Sequence, residues 1–151
     1  MHRKGVPMHK PEEIARAFLI ESDVDYRVAQ LLRGTEFHSR TIAFAQQAVE
    51  KIVKACLALR GVVLLDHNLA SLFRALYEVE FPDVEELVRH IEILERHGSR
   101  PRFPLFQRAE LPLWLPSRDY REQDAGRAME SSEYVVRRLK PFLDRVLGAQ
   151  P

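Results

Sequence analysis

Cysteine is nearly absent from this sequence, and the single copy, Cys56, has no partner for a disulfide within the chain. It falls on an apolar helical stripe, where a cysteine is typically a small core residue rather than a nucleophile. No apolar run approaches the roughly 18 to 20 residues that a membrane-spanning helix needs. The basic N-terminal segment also lacks the apolar run of a signal peptide, so a cytoplasmic protein with no membrane contact is predicted.

Sequence signatures of cofactor and metal sites are missing as well. There is no P-loop, no glycine pattern of a dinucleotide-binding fold and no nucleophile elbow. His90 and His97 share a helical face, but no third ligand with suitable spacing accompanies them. We therefore predict neither a cofactor nor a metal ion.

Over the whole chain, basic and acidic side chains are almost equal in number. The 151 residues suit one domain, and the net charge of +1 gives no general attraction to nucleic acid. The distribution is uneven, because residues 76–97 hold seven carboxylates against two arginines, whereas residues 98–151 hold ten basic and seven acidic side chains. An anion-binding surface is therefore expected in the second region.

Glycine and proline divide the chain into segments whose apolar spacing is helical, with no convincing strand pattern. Asp66 or Asn68 is expected to cap the third helix, and Asp83 the fourth. Residues 98–120 contain four prolines and are predicted to form a long loop. Two long helices, two short ones and a long C-terminal one indicate an all-α, up-and-down bundle. The helices are predicted from about Pro11 to Arg33, from Glu36 to Arg60, over 69–79, over 84–97, and from Arg121 to Leu147, with a kink or restart at Pro141.

Periodicity divides the second predicted helix into two faces. At 100° per residue, one broad sector is apolar and includes Ile52 and Cys56. Two interpretations of the opposite face remain open: a solvated surface with a weak Glu50–Lys54 pair, or a surface that binds a phosphate or an acidic partner. The polar side chains on that face are Arg40, Gln47, Glu50, Lys51 and Lys54.

The apolar stripe of the first predicted helix contains two carboxylates, Glu21 and Asp25, near its middle. Because burying an ionised carboxylate without a partner is costly, we predict that Asp25 pairs with a cation of the second helix, either Lys51 or Lys54. His67 stands beside a predicted helix start. It either fixes that turn by a hydrogen bond or contacts a ligand next to the polar face.

The proline-rich loop combines basic and aromatic side chains. One interpretation is that Arg102 contacts phosphates together with Arg100 and Arg108, while nearby aromatic rings stack on bases. The other is that these rings close the loop against the bundle. The rings are those of Phe103, Phe106 and Trp114.

Four segments share a pattern with one known family. They are "AQQAVEKIVKACLALRG" followed by "HNL" at 67–69, "SDVDYRVAQLL" upstream, "HGSRPRFP" downstream, and "YREQDAGRAMESSEYV" near the last helix. Over about residues 14–147 they resemble HEPN domains, small helical partners of minimal nucleotidyltransferases, with Phe103 where the family has tyrosine. The resemblance implies one HEPN-like domain over 11–148 after a flexible segment over 1–10. Its fold would be an antiparallel up-and-down bundle of four main helices plus a short helix, usually a homodimer.

The resemblance also implies a function. HEPN domains are associated with nucleotide or RNA binding, and many are toxin-side components of two-gene modules with a nucleotidyltransferase antitoxin. A large subset are metal-independent endoribonucleases that use an Arg-x4–6-His motif in the C-terminal part of the domain. In this chain no histidine lies beyond His97, so none follows Arg102 at that spacing, and we predict no catalytic residue. Matches at Arg60 and His67 and at Arg33 and His38 are interpreted as chance spacing.

The leading hypothesis is therefore a dimeric HEPN-type binding module that is not an enzyme. It would act with a minimal nucleotidyltransferase in a toxin–antitoxin-like pair and hold a nucleotide or RNA in a groove. The alternatives are an endoribonuclease toxin and a structural homodimer with no small ligand. The candidate binding residues are Asp25, Gln47, Glu50, Lys51, Lys54, His67 and Arg102, with Tyr120 added by the resemblance.

Overall fold

The structure, a computed structural model, describes residues 9–106 and 108–148. These residues form six helices: α1 (Pro11–Leu32), α2 (His38–Leu59), α3 (Ala70–Tyr77), α4 (Val84–Glu95), α5 (Pro116–Asp119) and α6 (Glu122–Leu147). The all-α prediction is confirmed. The four longest helices, α1, α2, α4 and α6, are the main helices, and the described part of the chain has two short helices where one was predicted.

Two further predictions are that the N-terminal segment is flexible and that the protein has no contact with a membrane. Most of the predicted flexible segment, residues 1–8, lies outside the described residues, so its flexibility stays a prediction. Across 9–106 and 108–148, none of the helices combines the length and the apolar character that crossing a membrane requires.

Glycine ends the first two helices where the sequence predicts. The backbone enters the left-handed region at Gly34 (φ 91°) and at Gly61 (φ 76°), a conformation in which a Cβ atom is strained. At the other end of α1, Pro11 occupies the first turn, where its missing N–H costs nothing. These local signals place both helix ends within about two residues of the prediction.

α2 is the central helix of the bundle, because it contacts α1, α3, α4, α5 and α6. The predicted apolar sector is buried, with Ile52 1% and Cys56 0% exposed. Alanines on the other sides, including Ala48 and Ala55, are also fully buried and allow neighbouring helices to approach closely. The interpretation of a solvated polar face is wrong in its simplest form, since Lys54 is only 9% exposed.

An aromatic cluster joins α3 to α6. The ring of Phe73 stacks on those of Tyr77 and Phe81, with centroid distances of 5.2 and 6.0 Å. Phe142 of α6 meets Tyr77 and Phe81 edge-on at 5.7 and 5.2 Å, and the Tyr77 hydroxyl donates a hydrogen bond to the carbonyl of Cys56. This cluster therefore anchors the short α3, which could not hold its shape alone.

The C-terminal half differs from the prediction in two places. Residues 98–106 and 108–120 contain α5 and an antiparallel bridge between Leu105 and Trp114, so they form an ordered arm rather than a plain loop. α6 runs through Pro141 without ending, which excludes the restart. Proline removes one intrahelical hydrogen bond, but the buried side chains of Leu139 and Leu143 hold the helix on both sides of it.

The predicted helix caps are wrong. Neither Asp66 nor Asn68 caps α3; instead the Glu95 carboxylate of α4 accepts the N–H groups of Leu69 and Ala70 at 2.8 and 3.1 Å. Asp83 precedes α4, but its side chain makes no capping bond. In both places a carboxylate forms a tertiary contact that sequence-local capping rules do not consider.

Asp83 accepts hydrogen bonds from α6 at both carboxylate oxygens: Arg138 Nη2 donates to Oδ1, and two further groups donate to Oδ2. Arg138 Nε and the Tyr134 hydroxyl both lie 2.7 Å away. The hydrogen bonds from Arg138, and then from Tyr134, lower the pKa of Asp83 from 3.8 to about 2. A lowered carboxyl pKa stabilises the folded state only while the group is ionised, so this stabilisation is complete above pH ~4 and lost as the pH falls towards ~2.

Replacing Asp83 with asparagine is expected to lower the free energy of unfolding by about 1–2 kcal/mol at pH 7. This expected loss is smaller than the free energy that corresponds to the full pKa shift, because 28% of the Asp83 side chain is exposed and solvent screens the interaction. Urea denaturation at pH 7 and near pH 2.5 measures the loss, which should fall to about a third at the lower pH. Asp144→Asn, in an exposed pair with Lys140, is the control and should cost under about 0.5 kcal/mol. Equal losses for the two variants at pH 7 would contradict the prediction.

Candidate functional site

A cavity of about 310 Å³ lies between α2 and α4. The turn before α3 and residues 98–102 complete its walls. Its apolar lining consists of Val49, Val53, Leu69, Ile91 and Leu94. Its polar lining consists of Gln46, Gln47, Glu50, His67, Asn68, Glu95, Ser99 and Arg102. Four of the eight residues predicted from the sequence therefore come together here: Gln47, Glu50, His67 and Arg102.

Glu50 connects the cavity to the interior of the bundle. One of its oxygens lies 3.0 Å from Lys54 Nζ, and the other lies 2.9 Å from His67 Nδ1. The side chains of Glu50 and Lys54 are 15% and 11% exposed, whereas that of His67 is 74% exposed. His67 therefore fixes the turn through its hydrogen bond to Glu50 and also lies among the residues that line the cavity. Its contact with a ligand stays a prediction.

The predicted pairing of Asp25 with a cation of α2 is confirmed. Lys51 Nζ lies 2.6 Å from Asp25 Oδ2, with the side chains 29% and 13% exposed. The sequence argument placed both Glu21 and Asp25 on the buried stripe of α1, and this is only partly right. The buried residues of α1 include Ala15, Leu19 and Ser22, whereas Glu21 is exposed. Asp25 and Lys51 are not among the residues that line the cavity. Their pair joins α1 to α2.

Sequence reasoning missed two residues of this site, Gln46 and Glu95. The Gln46 Nε2 group donates to the carbonyls of Leu94 (3.2 Å) and Gly98 (3.0 Å), while its Oε1 atom is buried without a partner. Burial raises the pKa of Glu95, although its two backbone hydrogen bonds oppose this. Helical spacing could have indicated both residues, because side chains one turn apart lie on the same face of a helix. Gln46 lies one turn before Glu50, and Glu95 lies one turn after the buried Ile91.

With this geometry established, comparison with known proteins gives the chain a family. A model of the HEPN domain matches residues 15–141, which is most of the chain. This protein belongs to the HEPN domain family. The predicted resemblance is confirmed, and the cavity is accordingly a feature of a HEPN domain.

Relatives of this HEPN domain are found among sequences and structures. It is 33% identical over 140 residues to "Putative toxin MJ1304" of Methanocaldococcus jannaschii, which covers 89% of this chain and 91% of the relative. The fold is similar to that of TT1696 from Thermus thermophilus, with a TM-score of 0.66, 23% identity, and 84% and 96% of the two chains covered. ST0689, an archaeal HEPN homologue, gives a TM-score of 0.64 at 17% identity, with 90% and 99% covered. These two structures support the fold alone.

Tyr120 is a buried residue of this HEPN domain and does not line the cavity. It is 7% exposed, and its hydroxyl lies 2.7 Å from His97 Nδ1. Burial raises the pKa of Tyr120 to about 12 and lowers that of His97, so both groups are neutral near pH 7. Trp114 meets the Tyr120 ring edge-on at 5.0 Å, which closes the arm against the bundle. Tyr120 therefore positions the segment that carries Arg102.

The Arg-x4–6-His match at Arg60 and His67 does not form a joint site in this HEPN domain. Arg60 donates to the carbonyl of Leu76 at 2.7 Å and lies over the Tyr77 ring, 4.2 Å from its centroid. His67 instead bonds to Glu50. The two side chains have separate partners, as expected for a chance match.

Proposed function

We propose that this HEPN domain is a non-catalytic binding module that holds a nucleotide, or one nucleotide of an RNA, in the cavity between α2 and α4. It acts with a minimal nucleotidyltransferase in a two-gene, toxin–antitoxin-like module, and it does so as a homodimer. The observation that carries the proposal is the cavity itself, which gathers Gln47, Glu50, His67 and Arg102 at one place.

The size and lining of the cavity support a nucleotide ligand. Cavities that hold small molecules begin at roughly 300 Å³ and combine apolar walls with a few polar groups. At about 310 Å³, this cavity lies at the lower end of that range. The guanidinium of Arg102 is exposed, and this group is well suited to bind a phosphate through two parallel hydrogen bonds.

The toxin-like role rests on the relative from Methanocaldococcus jannaschii, whose name describes a putative toxin. The non-catalytic role rests on the absence of a histidine beyond His97. Without an imidazole at the expected spacing after Arg102, the chain lacks the usual acid–base group of an endoribonuclease of this family. The partner is tested by the neighbouring gene: a short nucleotidyltransferase reading frame supports the two-gene module, and an unrelated one counts against it.

Nucleotide binding should raise the melting temperature of the protein. A ligand at about 100 times its Kd stabilises the native state by about 2.7 kcal/mol, which corresponds to roughly 5–10 °C for a chain of this size. Arg102→Ala should weaken the binding of AMP at least about tenfold, because one charge-assisted contact is lost. Arg127→Ala removes an exposed arginine of α6 that does not line the cavity and should leave the affinity unchanged.

Two results would redirect the proposal. If neither mononucleotides nor short RNAs shift the melting temperature, the structural homodimer is the better description. If the purified protein cleaves RNA and Arg102→Ala abolishes the cleavage, the protein is an endoribonuclease after all. Size-exclusion chromatography with light scattering tests the dimer separately.

A further inference from the structure

One of the residues that line the cavity, Gln46, has a hydrogen-bond acceptor without a donor. Gln46 Oε1 is buried and has no partner among the described residues. The amide cannot turn round to exchange its oxygen and nitrogen, because Nε2 already donates to the carbonyls of Leu94 and Gly98. A buried polar atom of this kind is unusual in a folded protein and indicates a group that a ligand can supply.

A second acceptor is available on the same wall. Glu95 uses Oε1 for the N–H groups of Leu69 and Ala70, and the described residues offer no hydrogen bond to its Oε2 atom. In Glu50, by contrast, Lys54 and His67 already bond to both oxygens. Gln46 Oε1 and Glu95 Oε2 are therefore two acceptors that a donor on a ligand could satisfy.

Electrostatics decide which end of a nucleotide enters. The carboxylates of Glu50 and Glu95 line the interior and disfavour a phosphate there. The apolar side chains, Val49 and Ile91 among them, suit the flat faces of a base. Arg102 is the exposed cation of the lining and can take the phosphate at the edge of the cavity.

We propose that the cavity selects an amino-bearing nucleobase, whose exocyclic amine donates its two hydrogens to Gln46 Oε1 and Glu95 Oε2 while Arg102 holds the phosphate. This inference rests on the proposed nucleotide-binding function and adds the chemical class of the base. Adenine is the sharpest test case, because the amine is the one hydrogen-bond donor on its base in a nucleotide.

The experiment compares AMP with purine riboside 5′-monophosphate, which differs from AMP by loss of the amine. Isothermal titration of the full chain should show AMP binding at least about tenfold more tightly, because a site built to receive a donor rejects the analogue that lacks it. Equal affinities would overturn the inference while leaving the proposed function intact. Binding of neither compound, nor of any other mononucleotide, would overturn both.

Two variants separate recognition of the base from a general loss of binding. Glu95→Gln keeps an oxygen for Leu69 and Ala70 but places an NH2 group where the free oxygen was, so the preference for AMP should shrink to about threefold or less. Arg102→Ala should weaken both compounds by the same factor and leave their ratio unchanged. A full AMP preference in a folded Glu95→Gln protein would remove Glu95 from the proposed site, and a ratio altered by Arg102→Ala would contradict the assigned orientation.

Discussion

Replacing Phe73 with alanine is expected to lower the free energy of unfolding by about 3–5 kcal/mol. Phe73 is fully buried and forms the stacked contacts with Tyr77 and Phe81 that join α3 to the rest of the bundle. Alanine would remove the ring and leave a cavity among aromatic neighbours that cannot all move inward. Because native domains are stable by only about 5–15 kcal/mol, this loss is a large share of the total.

Urea denaturation of the wild type and of Phe73→Ala measures the effect. The matched control is Phe106→Ala, which removes the same ring from a side chain that is 70% exposed and should cost under about 1 kcal/mol. A loss below about 1.5 kcal/mol for Phe73→Ala would mean that the cluster collapses around the missing ring. In that case α3 would not depend on aromatic packing.

Glu50→Leu is expected to lower the free energy of unfolding by about 2–4 kcal/mol, since it leaves the ammonium of Lys54 in a buried position without its counter-charge. The expected loss lies in the lower part of the range for breaking a buried ion pair, because the side chains of Glu50 and Lys54 are still 15% and 11% exposed. The double variant Glu50→Leu/Lys54→Met should recover most of this loss, because two apolar side chains replace the pair without leaving a charge behind.

The control for this pair is Glu133→Leu. Glu133 lies 2.8 Å from Arg137 at the same spacing of four residues, but those side chains are 44% and 78% exposed, and the change should cost within about 0.5 kcal/mol. The decisive comparison is between the two glutamates. If Glu50→Leu costs no more than Glu133→Leu, the Glu50–Lys54 pair contributes no more to stability than an exposed pair, and Glu50 is not needed to hold Lys54 inside the bundle.

The two variants affect the cavity in different ways, because Phe73 belongs to the hydrophobic core and Glu50 lines the cavity itself. Phe73 holds the short helix whose N-terminal residues, Leu69 and Ala70, bond to Glu95. Glu50 holds Lys54 inside the bundle and His67 at the edge of the cavity. Loss of the aromatic cluster should therefore loosen the cavity indirectly, whereas loss of Glu50 alters its lining directly. Measuring AMP affinity for both variants below their melting temperatures would distinguish the two effects.

Much of the fold and part of the site could be predicted from the sequence, because the deciding physics is local. Glycine at positions 34 and 61 ends two helices, since only this residue enters the left-handed region without strain. Helical phase placed Asp25 where a cation had to meet it, and Lys51 does so. The absence of a histidine after Arg102 is likewise a property of the sequence alone.

Only the tertiary structure decided which sides of α2 are exposed and which residues share the cavity. Periodicity separates polar from apolar faces, but it cannot show that α2 is surrounded, so the burial of Lys54 depended on where the other helices pack. Gln46 comes from α2, whereas Glu95 and Arg102 come from the end of α4 and the segment that follows it. The separation of α2 from α4 along the chain carries no information about which of their faces meet. The unpaired acceptor at Gln46 exists because Leu94 and Gly98 occupy its amide nitrogen, a contact that forms only when α4 docks on α2.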